Sequence, residues 1–249
     1  MLPITYGFYS QPTVFLPTNT TLWLKADAAT ASSDTNNMNT VSSTGSITRF
    51  FDFSGNGYHY SLTQSEVANW QSNQINSLPA FSFTGTAKYQ SSTLPPTSGS
   101  RELFMVAMPV GTFSSSSLEN YLFIQNGPTT DFIITSYRFR NNSFTQSDGF
   151  WGFQSGTSPV MATASVGQWI IMQGIGGSTS KINNVDMGFR SGQDGYSQFI
   201  QYPNISRLGS LNAGVNYKLA EIIYYNRSLS TSERNQVVDY LKNKYNISF

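Results

Sequence analysis

The side chains that could carry acid–base chemistry are few and widely spaced. The five glutamates are Glu66, Glu102, Glu119, Glu221 and Glu233. Glycoside hydrolysis needs two carboxyl groups that flank the scissile bond, one as acid and the other as base or nucleophile. None of the five stands in a Glu-x-Asp-x-Glu or Glu-x-Asp-x-x-Glu pattern, which would place such a pair on one strand. We therefore expect no hydrolase, and we expect Glu221 to be a rim residue paired with an arginine or lysine.

The chain has a single histidine, His59, which stands between Tyr58 and Tyr60. A chain with one histidine cannot form a metal site from several histidines, and a Ser-His-Asp triad would have to use His59, which lies beside a turn. A histidine in such a position is more often structural or on the surface. No glycine-rich phosphate loop stands between a predicted strand and a helix, so nucleotide chemistry has no support. No catalytic residue is predicted.

Calcium is the one metal that the sequence leaves open. Ca²⁺ takes about six to eight oxygen ligands, which flexible loops can supply. Asp52 and Asn56 are the candidate ligands, and no run of residues has the spacing of an EF-hand. Other aspartates that could contribute are Asp131, Asp148, Asp186 and Asp194. The competing prediction is that Asp52 and Asn56 hydrogen-bond the turn that contains them and that there is no cofactor.

The aromatic residues suggest a different chemistry, the binding of a sugar ring. Such a site requires an exposed aromatic plate with amide or carboxylate groups beside it. Trp23 and Trp169 lie in apolar segments and are predicted to be core, whereas other tryptophans lie among polar residues or glycines. The candidate carbohydrate-binding residues are Trp70, Trp151, Tyr58, His59 and Tyr60. Burial in the core is the alternative for each of them.

The stretch of residues 218–247 combines a strand with a helix. Residues 219–225 are rich in isoleucine and tyrosine and are mostly apolar on both faces, which predicts a strand inside a sheet that is covered on each side. Strict alternation assigns Ala220, Ile222 and Tyr224 to one face and Leu219, Glu221, Ile223 and Tyr225 to the other.

The helix is predicted to begin at a capping box, because Ser230 and Glu233 have the required spacing. Lys242 and Lys244 would complement the helix dipole in the last turn. Helical spacing assigns Val237, Val238, Leu241 and Tyr245 to the buried side, and Arg234, Asn235, Asp239 and Lys242 to solvent.

Short apolar segments separated by turn residues fill the rest of the chain. The turn signal Ser54-Gly-Asn-Gly57 predicts a hairpin, and residues 29–46 are predicted to be a long loop. Many short strands with one helix indicate an antiparallel sandwich in a single domain. The predicted strands before residue 219 are 22–25, 47–53, 58–62, 75–83, 88–92, 102–108, 121–125, 132–138, 150–154, 159–163, 169–173, 180–187 and 205–208.

The C-terminal stretch "LAEIIYYNRSLSTSERNQVVDYLKNKYNI" resembles the end of the laminin-G-like, concanavalin A-like jelly-roll domains. Further segments fit the same family in the same order, namely "LWLKADAA", "FFDFSGNGYHYSL", "LPAFSFTG" and "GQWIIMQGIGGSTSKINNVDMGF". The resemblance implies an all-β, antiparallel two-sheet jelly-roll β-sandwich with one short C-terminal α-helix. It also implies a tendency toward glycan or surface binding, but it implies no reaction.

Composition narrows the partners of the protein. The chain has 249 residues, a formal net charge of +1 and 11% charged residues, so we expect neither nucleic acid nor anionic lipid as a partner. It has no cysteine. No stretch approaches about 18 consecutive apolar residues, so no membrane insertion is predicted.

Residues 1–20 are predicted to form an extended N-terminal arm ahead of a sandwich domain at residues 21–249. Pro3, Pro12 and Pro17 disfavour both a helix and a strand ladder. Residues 1–6 lack the basic and apolar regions of a secretory signal. Either a signal has been removed, or the protein reaches an outer surface without secretion, such as that of a virus particle. The apolar residues expected to dock this arm during assembly are Tyr6, Phe8, Tyr9 and Phe15.

The sequence therefore predicts a non-enzymatic binding or structural module on a virion or extracellular surface. The first hypothesis is a virion structural or decoration protein with a glycan-adhesion role, which contacts other virion proteins and forms a homo-oligomer. The alternative is a lectin-like carbohydrate-binding domain of a secreted or cell-surface protein. A glycosidase or lyase is the third hypothesis, and the missing acid pair disfavours it.

Overall fold

The computed structural model describes residues 16–26, 31–32, 45–63, 68–83, 88–91, 93, 95, 101–110, 123–124, 167–175, 180–186, 207–209 and 217–249. The predicted strands at 132–138, 150–154 and 159–163, and residues 1–15 of the arm, lie outside these ranges. The described elements are β1 (Leu22–Lys25), β2 (Ala31–Ser32), β3 (Gly45–Ile47), β4 (Arg49–Phe50), β5 (Tyr60–Leu62), β6 (Ala68–Ile75), β7 (Leu78–Phe83), β8 (Lys88–Ser91), β9 (Glu102–Pro109), β10 (Phe123–Ile124), β11 (Ile170–Ile175), β12 (Ser180–Ile182), β13 (Val185–Asp186), β14 (Arg207–Gly209), β15 (Tyr217–Tyr225) and α1 (Thr231–Tyr245).

These strands form two antiparallel sheets. One has the order β13-β12-β11-β9-β15-β7-β6-β3, and the other has the order β10-β14-β8-β5-β4-β2. In the larger sheet β15 pairs with β9 along one edge, while β7 and then β1 pair along its other edge. The prediction of an antiparallel all-β sandwich with one C-terminal helix is confirmed. The jelly-roll connectivity and the domain boundary at residue 21 stay predictions.

The main core lies between the two sheets and is rich in aromatic rings. Phe50 from the smaller sheet meets Phe81 from the larger sheet edge to face, with 4.6 Å between ring centroids. Tyr89 packs on Phe50 at 4.5 Å, and Phe83 stacks on Tyr217 at 4.5 Å. Burial of such large rings is the main source of stability for a sandwich of this kind.

A second core lies on the opposite face of the larger sheet, under α1. Its buried residues on the helix are Val237, Val238, Leu241 and Tyr245, as predicted. The capping box is also confirmed, since Ser230 Oγ accepts from Glu233 N–H at 3.2 Å and Glu233 Oε2 accepts from Ser230 N–H at 2.8 Å. The described residues contain no helix with the length and apolar character needed to span a bilayer.

The faces predicted for β15 are wrong at its start. The register with β9 shifts between Leu219 and Glu221, which is a β-bulge. A bulge adds one residue to a strand and reverses the alternation beyond it. Leu219 therefore joins the core between the sheets together with Ile222, while Ala220 joins the core under the helix. Both faces of β15 are covered, as expected.

Two hairpin turns lie within segments predicted to be single strands, and residues 68–74 of β6 lie outside every predicted strand. Asn76 (φ 46°) and Ser77 (φ 61°) turn β6 into β7, and Asn183 (φ 47°) and Asn184 (φ 63°) turn β12 into β13. Two consecutive positive φ angles are typical of the two-residue hairpin turn, which usually carries a glycine that is absent here. The predicted turn at residues 54–57 is confirmed, whereas the predicted loop at 29–46 contains β2 and the start of β3.

Arg234 is predicted to face solvent, but it is half-buried and pairs with the buried Glu102 of β9. Arg234 Nη2 donates to Glu102 Oε1 at 2.7 Å, and Arg234 Nε donates to Oε2 at 2.8 Å. The backbone N–H of Leu229 also donates to Glu102 Oε1, at 2.8 Å. This bidentate pair fixes the start of α1 on the sheet, which a helical wheel alone cannot show because the partner is distant in sequence.

Leu241 is fully buried where α1 meets the sheet. We expect Leu241→Ala to lower the free energy of unfolding by about 2–5 kcal/mol, because truncation leaves a cavity under the helix. Chemical denaturation measures this loss. Asn235→Ala on the exposed side of α1 is the matched control and should stay within about 0.5 kcal/mol of the parent. An unchanged midpoint for Leu241→Ala would show that α1 is peripheral to the fold.

Candidate functional site

A groove beside α1, with a volume of about 680 Å³, is lined by three aromatic side chains. They are Trp23 from β1, Phe53 from the turn after β4, and Tyr240 from α1. The Trp23 ring meets the Phe53 and Tyr240 rings edge to face, with centroid distances of 6.5 and 6.4 Å. Phe53 is 37% exposed, whereas the other two rings are half-buried. We call this site the aromatic groove.

A single buried carboxylate, Glu221 of β15, fixes two of the three rings. Its Oε1 accepts from Trp23 Nε1 at 2.5 Å and from the Tyr240 hydroxyl at 2.9 Å. Its Oε2 accepts from Lys244 Nζ at 2.8 Å and from the Tyr245 hydroxyl at 2.7 Å. These four donors compensate the buried charge. Glu221 pairs with a lysine, as expected, but it lies beneath the helix and not at a rim.

The third ring, Phe53, is positioned by the carboxylate that precedes it. Asp52 Oδ1 accepts from the N–H groups of Trp23 and Ser54 at 3.0 and 2.9 Å. Asp52 Oδ2 accepts from the Ser54 hydroxyl at 2.8 Å and from Tyr58 N–H at 3.0 Å. Phe53 N–H donates to the Trp23 carbonyl at 2.7 Å. Asp52 thus ties the turn to β1 and holds Phe53 beside Trp23.

The described residues that line the aromatic groove are uncharged, but a cation lies over two of its rings. Lys25 Nζ is 5.0 Å from the Trp23 ring centroid and 4.6 Å from the Phe53 ring centroid. Asn56 Nδ2 donates to the carbonyls of Thr20 and Thr21 at 3.1 and 2.9 Å, and its Oδ1 accepts no hydrogen bond from the described residues. Asn19 is exposed, with φ of 64°, and its side chain makes no hydrogen bond within the described ranges. Amide groups are therefore available to a ligand that reaches the rings.

Four of the five carbohydrate-binding residues predicted from the sequence are described, and none of these four lines the aromatic groove. Trp70 is 7% exposed, and its Nε1 donates to a backbone carbonyl at 2.7 Å. It therefore belongs to the core and has no exposed ring face on which a sugar could pack. Tyr60 is fully buried in the same core, and this burial raises the pKa of its hydroxyl. Tyr58 and His59 are half-buried. Trp151 lies outside the described residues.

The expectation that Trp23 and Trp169 are core residues is corrected. Both are half-buried on the helix side of the larger sheet, and each opens to a surface groove. For Trp23 the sequence held a usable signal in "LWLK". Leu22 and Leu24 alternate with Trp23 and Lys25, and a lysine on the same face as a tryptophan indicates access to solvent.

Asp52 and Asn56, the calcium candidates, are used by the hairpin turn. All four acceptor positions of the Asp52 carboxylate receive protein donors, so a cation would have to displace them. The Asn56 amide is directed at backbone carbonyls of residues 20 and 21. Within the described ranges, no group of three or more histidine, aspartate or glutamate side chains is arranged to hold a metal ion.

Comparison with solved structures shows similar β-rich proteins. A GH54 α-L-arabinofuranosidase has a TM-score of 0.53 and 13% identity, over 81% of this chain and 52% of that protein. A Trypanosoma rangeli sialidase in complex with sialic acid has a TM-score of 0.48 and 12% identity, over 92% and 34% of the two chains. The receptor-binding domain of botulinum neurotoxin type G has a TM-score of 0.45 and 9% identity, over 89% and 52%.

These similarities concern the fold. The chain spans about half the length of the arabinofuranosidase, and at 13% identity that likeness shows a shared β-rich fold alone. No protein-family model matches the sequence, and no curated protein matches it.

His59 gives the fold a pH dependence that can be measured. Its Nδ1 accepts from Asp52 N–H at 3.0 Å, which requires the neutral ring. Burial and the nearby Arg49 lower the pKa of His59, against the opposing effect of Asp52. The unfolded chain, with a histidine pKa of about 6.5, binds the proton more readily. This contribution to stability is therefore full above pH about 6.5 and is lost as the pH falls below it.

We expect the denaturant concentration at the unfolding midpoint of the parent to decrease when the pH is lowered from about 7.5 to about 5.5, a range that spans the usual histidine pKa. His59→Asn keeps an acceptor for Asp52 N–H but cannot titrate, so its midpoint should change less over the same interval. Because His59 is the only histidine in the chain, other groups contribute little there. An equal fall in both proteins would show that His59 is not responsible.

Proposed function

We propose that this protein is a non-catalytic binding module of the concanavalin A-like, laminin-G-like type, which holds a neutral saccharide in the aromatic groove. The observation that carries the proposal is the joint presence of three fixed rings and uncharged polar groups in one open groove. The apolar C–H face of a sugar packs on aromatic rings, while its hydroxyls need donors and acceptors of the amide type. The lining side chains are uncharged, and Lys25 Nζ is engaged with the Trp23 and Phe53 rings, so the contacts offered to a ligand are rings, amides and hydroxyls, which suit a neutral sugar.

The hydrogen bonds of the two buried glutamates support a binding module without catalysis. Glu102 is bonded to Arg234 and Leu229, and Glu221 is bonded to four donors from β1 and α1. Both carboxylates therefore serve to attach the helix. A glycosidase would need two carboxyl groups free to exchange protons across the scissile bond.

The aromatic groove is open, so we expect weak affinity for a single sugar unit. A dissociation constant of about 1 mM corresponds to a binding free energy of about −4 kcal/mol, which is reasonable for a ligand of this size. Adhesion through such a site would depend on several copies acting together on one glycan surface.

A glycan array followed by titration tests the proposal. We expect neutral glycans to be retained in preference to sialylated or sulfated ones. Phe53→Ala should weaken binding about tenfold, or about 1.4 kcal/mol, because it removes the most exposed ring while sparing the contacts of Glu221. Phe249→Ala is the matched control, because Phe249 is 43% exposed and does not line the groove.

Two outcomes would contradict the proposal. Equal binding by Phe53→Ala and the parent would exclude the aromatic groove as the site. Release of reducing ends from a bound oligosaccharide by the purified parent, lost on substitution of Glu102 or Glu221 by glutamine, would replace a binding module with a hydrolase.

We further propose a virion surface as the place of action, with residues 1–20 as the assembly arm. The support comes from the sequence of the arm, whose aromatic residues Tyr6, Phe8, Tyr9 and Phe15 need a surface to cover them. The described end of the arm lies on its own sandwich, where the Thr20 hydroxyl donates to the Tyr225 hydroxyl at 3.3 Å and Leu16 packs against the core under α1. A lectin-like domain of a secreted or cell-surface protein would share the groove and would not need the arm for assembly.

Deletion of residues 1–12 distinguishes these two placements. The first twelve residues can extend on the order of 40 Å, which is enough to reach another subunit. We expect the truncated protein to keep its denaturation midpoint but to lose self-association, as measured by light scattering after size-exclusion chromatography. A full-length variant with serine at Tyr6, Phe8, Tyr9 and Phe15 should behave likewise. Unfolding of the truncated chain, or unchanged association, would contradict the assembly role.

A further inference from the structure

A second groove, with a volume of about 370 Å³, lies at the C-terminal end of α1. It is lined by Trp169, by Tyr245 of the helix, and by Asn76 and Asn246 from turns. Every described residue that lines it is uncharged. It shares with the aromatic groove a tryptophan, a helix tyrosine and asparagine amides, but it has no phenylalanine. We call it the Trp169 groove.

The two grooves lie on different flanks of α1. Tyr240 and Tyr245 are five residues apart, which separates them by about 140° around the helix and about 7.5 Å along it. Both hydroxyls donate to the same carboxylate, Tyr240 to Oε1 of Glu221 at 2.9 Å and Tyr245 to Oε2 at 2.7 Å. One buried group therefore orients a tyrosine in each groove.

Two asparagine side chains with unused hydrogen-bonding capacity line the Trp169 groove together with a fixed indole. Trp169 Nε1 donates to the Gln74 carbonyl at 3.3 Å, which fixes the plane of the half-buried indole. Asn76 Nδ2 donates to the Lys244 carbonyl at 3.1 Å, and its Oδ1 accepts no bond from the described residues. Asn246, the C-cap of α1 with φ of 53°, makes no side-chain hydrogen bond within the described ranges. A fixed ring thus stands beside two amides with unused capacity.

We propose that the Trp169 groove is a second saccharide subsite, which takes a neutral sugar ring against the indole of Trp169. Asn76 and Asn246 bind the sugar hydroxyls. This inference rests on the proposed function, because it applies the same chemistry of recognition to a second place. The lining is uncharged, although Lys218 Nζ donates to the Gln74 side chain and Lys244 Nζ lies 5.1 Å from the Tyr245 ring centroid. The ring and the amides, and not an absence of nearby charge, are therefore the basis for choosing a neutral sugar. Both grooves lie on the helix side of the larger sheet. Two subsites on that side raise the avidity of the module for a long or densely displayed glycan.

The indole N–H signals of the four tryptophans in a ¹H–¹⁵N correlation spectrum report on both grooves at once. The full chain, labelled with ¹⁵N, is titrated with the methyl glycosides of glucose, galactose, mannose and arabinose, and single Trp→Phe variants assign the signals. We expect the signals of Trp23 and Trp169 to shift saturably with at least one of these sugars. The signal of Trp70 should stay in place, because its indole is buried and bonded to the Ala26 carbonyl.

Asn246→Gly is the selective variant, since glycine keeps the left-handed C-cap and removes the amide. It should weaken the response of Trp169 about fivefold and leave that of Trp23 unchanged. A shift of Trp23 without Trp169 would overturn the second subsite and leave the proposed function standing. Absence of both shifts would overturn both. A Trp169 response that survives Asn246→Gly in full would also overturn the assigned subsite.

Discussion

The compensated carboxylate of Glu221 is the interaction on which the helix and both grooves depend. An isolated carboxylate at this depth would cost several kcal/mol, so the chain must bring donors to it. The donors come from two elements, Trp23 on β1 and three side chains on α1, while the carboxylate itself stands on β15. β1, β15 and α1 are therefore held in one mutual arrangement. Three of these four donors carry aromatic rings, and those rings line the two grooves.

Glu102 has the corresponding role at the other end of the helix, where Arg234 binds it with two parallel hydrogen bonds. The two glutamates stand on the neighbouring strands β9 and β15, and the apolar residues of α1 fill the space between them. Aromatic side chains on such a scaffold lose little freedom when a ligand binds, which favours affinity. This is the link between the stability of the helix and the proposed function of the groove beside it.

Features set by neighbouring residues were predictable from the sequence, and features set by distant contacts were not. The capping box at Ser230 and the turn at residues 54–57 depend on spacing within a few positions. The bulge that moves Leu219 into the core depends on the pairing of β15 with β9, and no residue pattern within β15 predicts it. Trp23 and Glu221 are 198 positions apart, so the buried role of the glutamate and the orientation of the tryptophan had no local signal. β6 was missed because its polar residues hide the alternation that buries Trp70.

A crystal structure of the full chain with a neutral oligosaccharide selected on the glycan array would test directly whether the aromatic groove binds sugar. We expect electron density for a sugar ring packed on Trp23 and Phe53, with a hydroxyl within hydrogen-bond distance of Asn56 Oδ1. We also expect the hydrogen bonds of Glu221 to Trp23 and Tyr240 to persist in the complex. A sugar bound away from α1, with the aromatic groove empty, would contradict the proposed function.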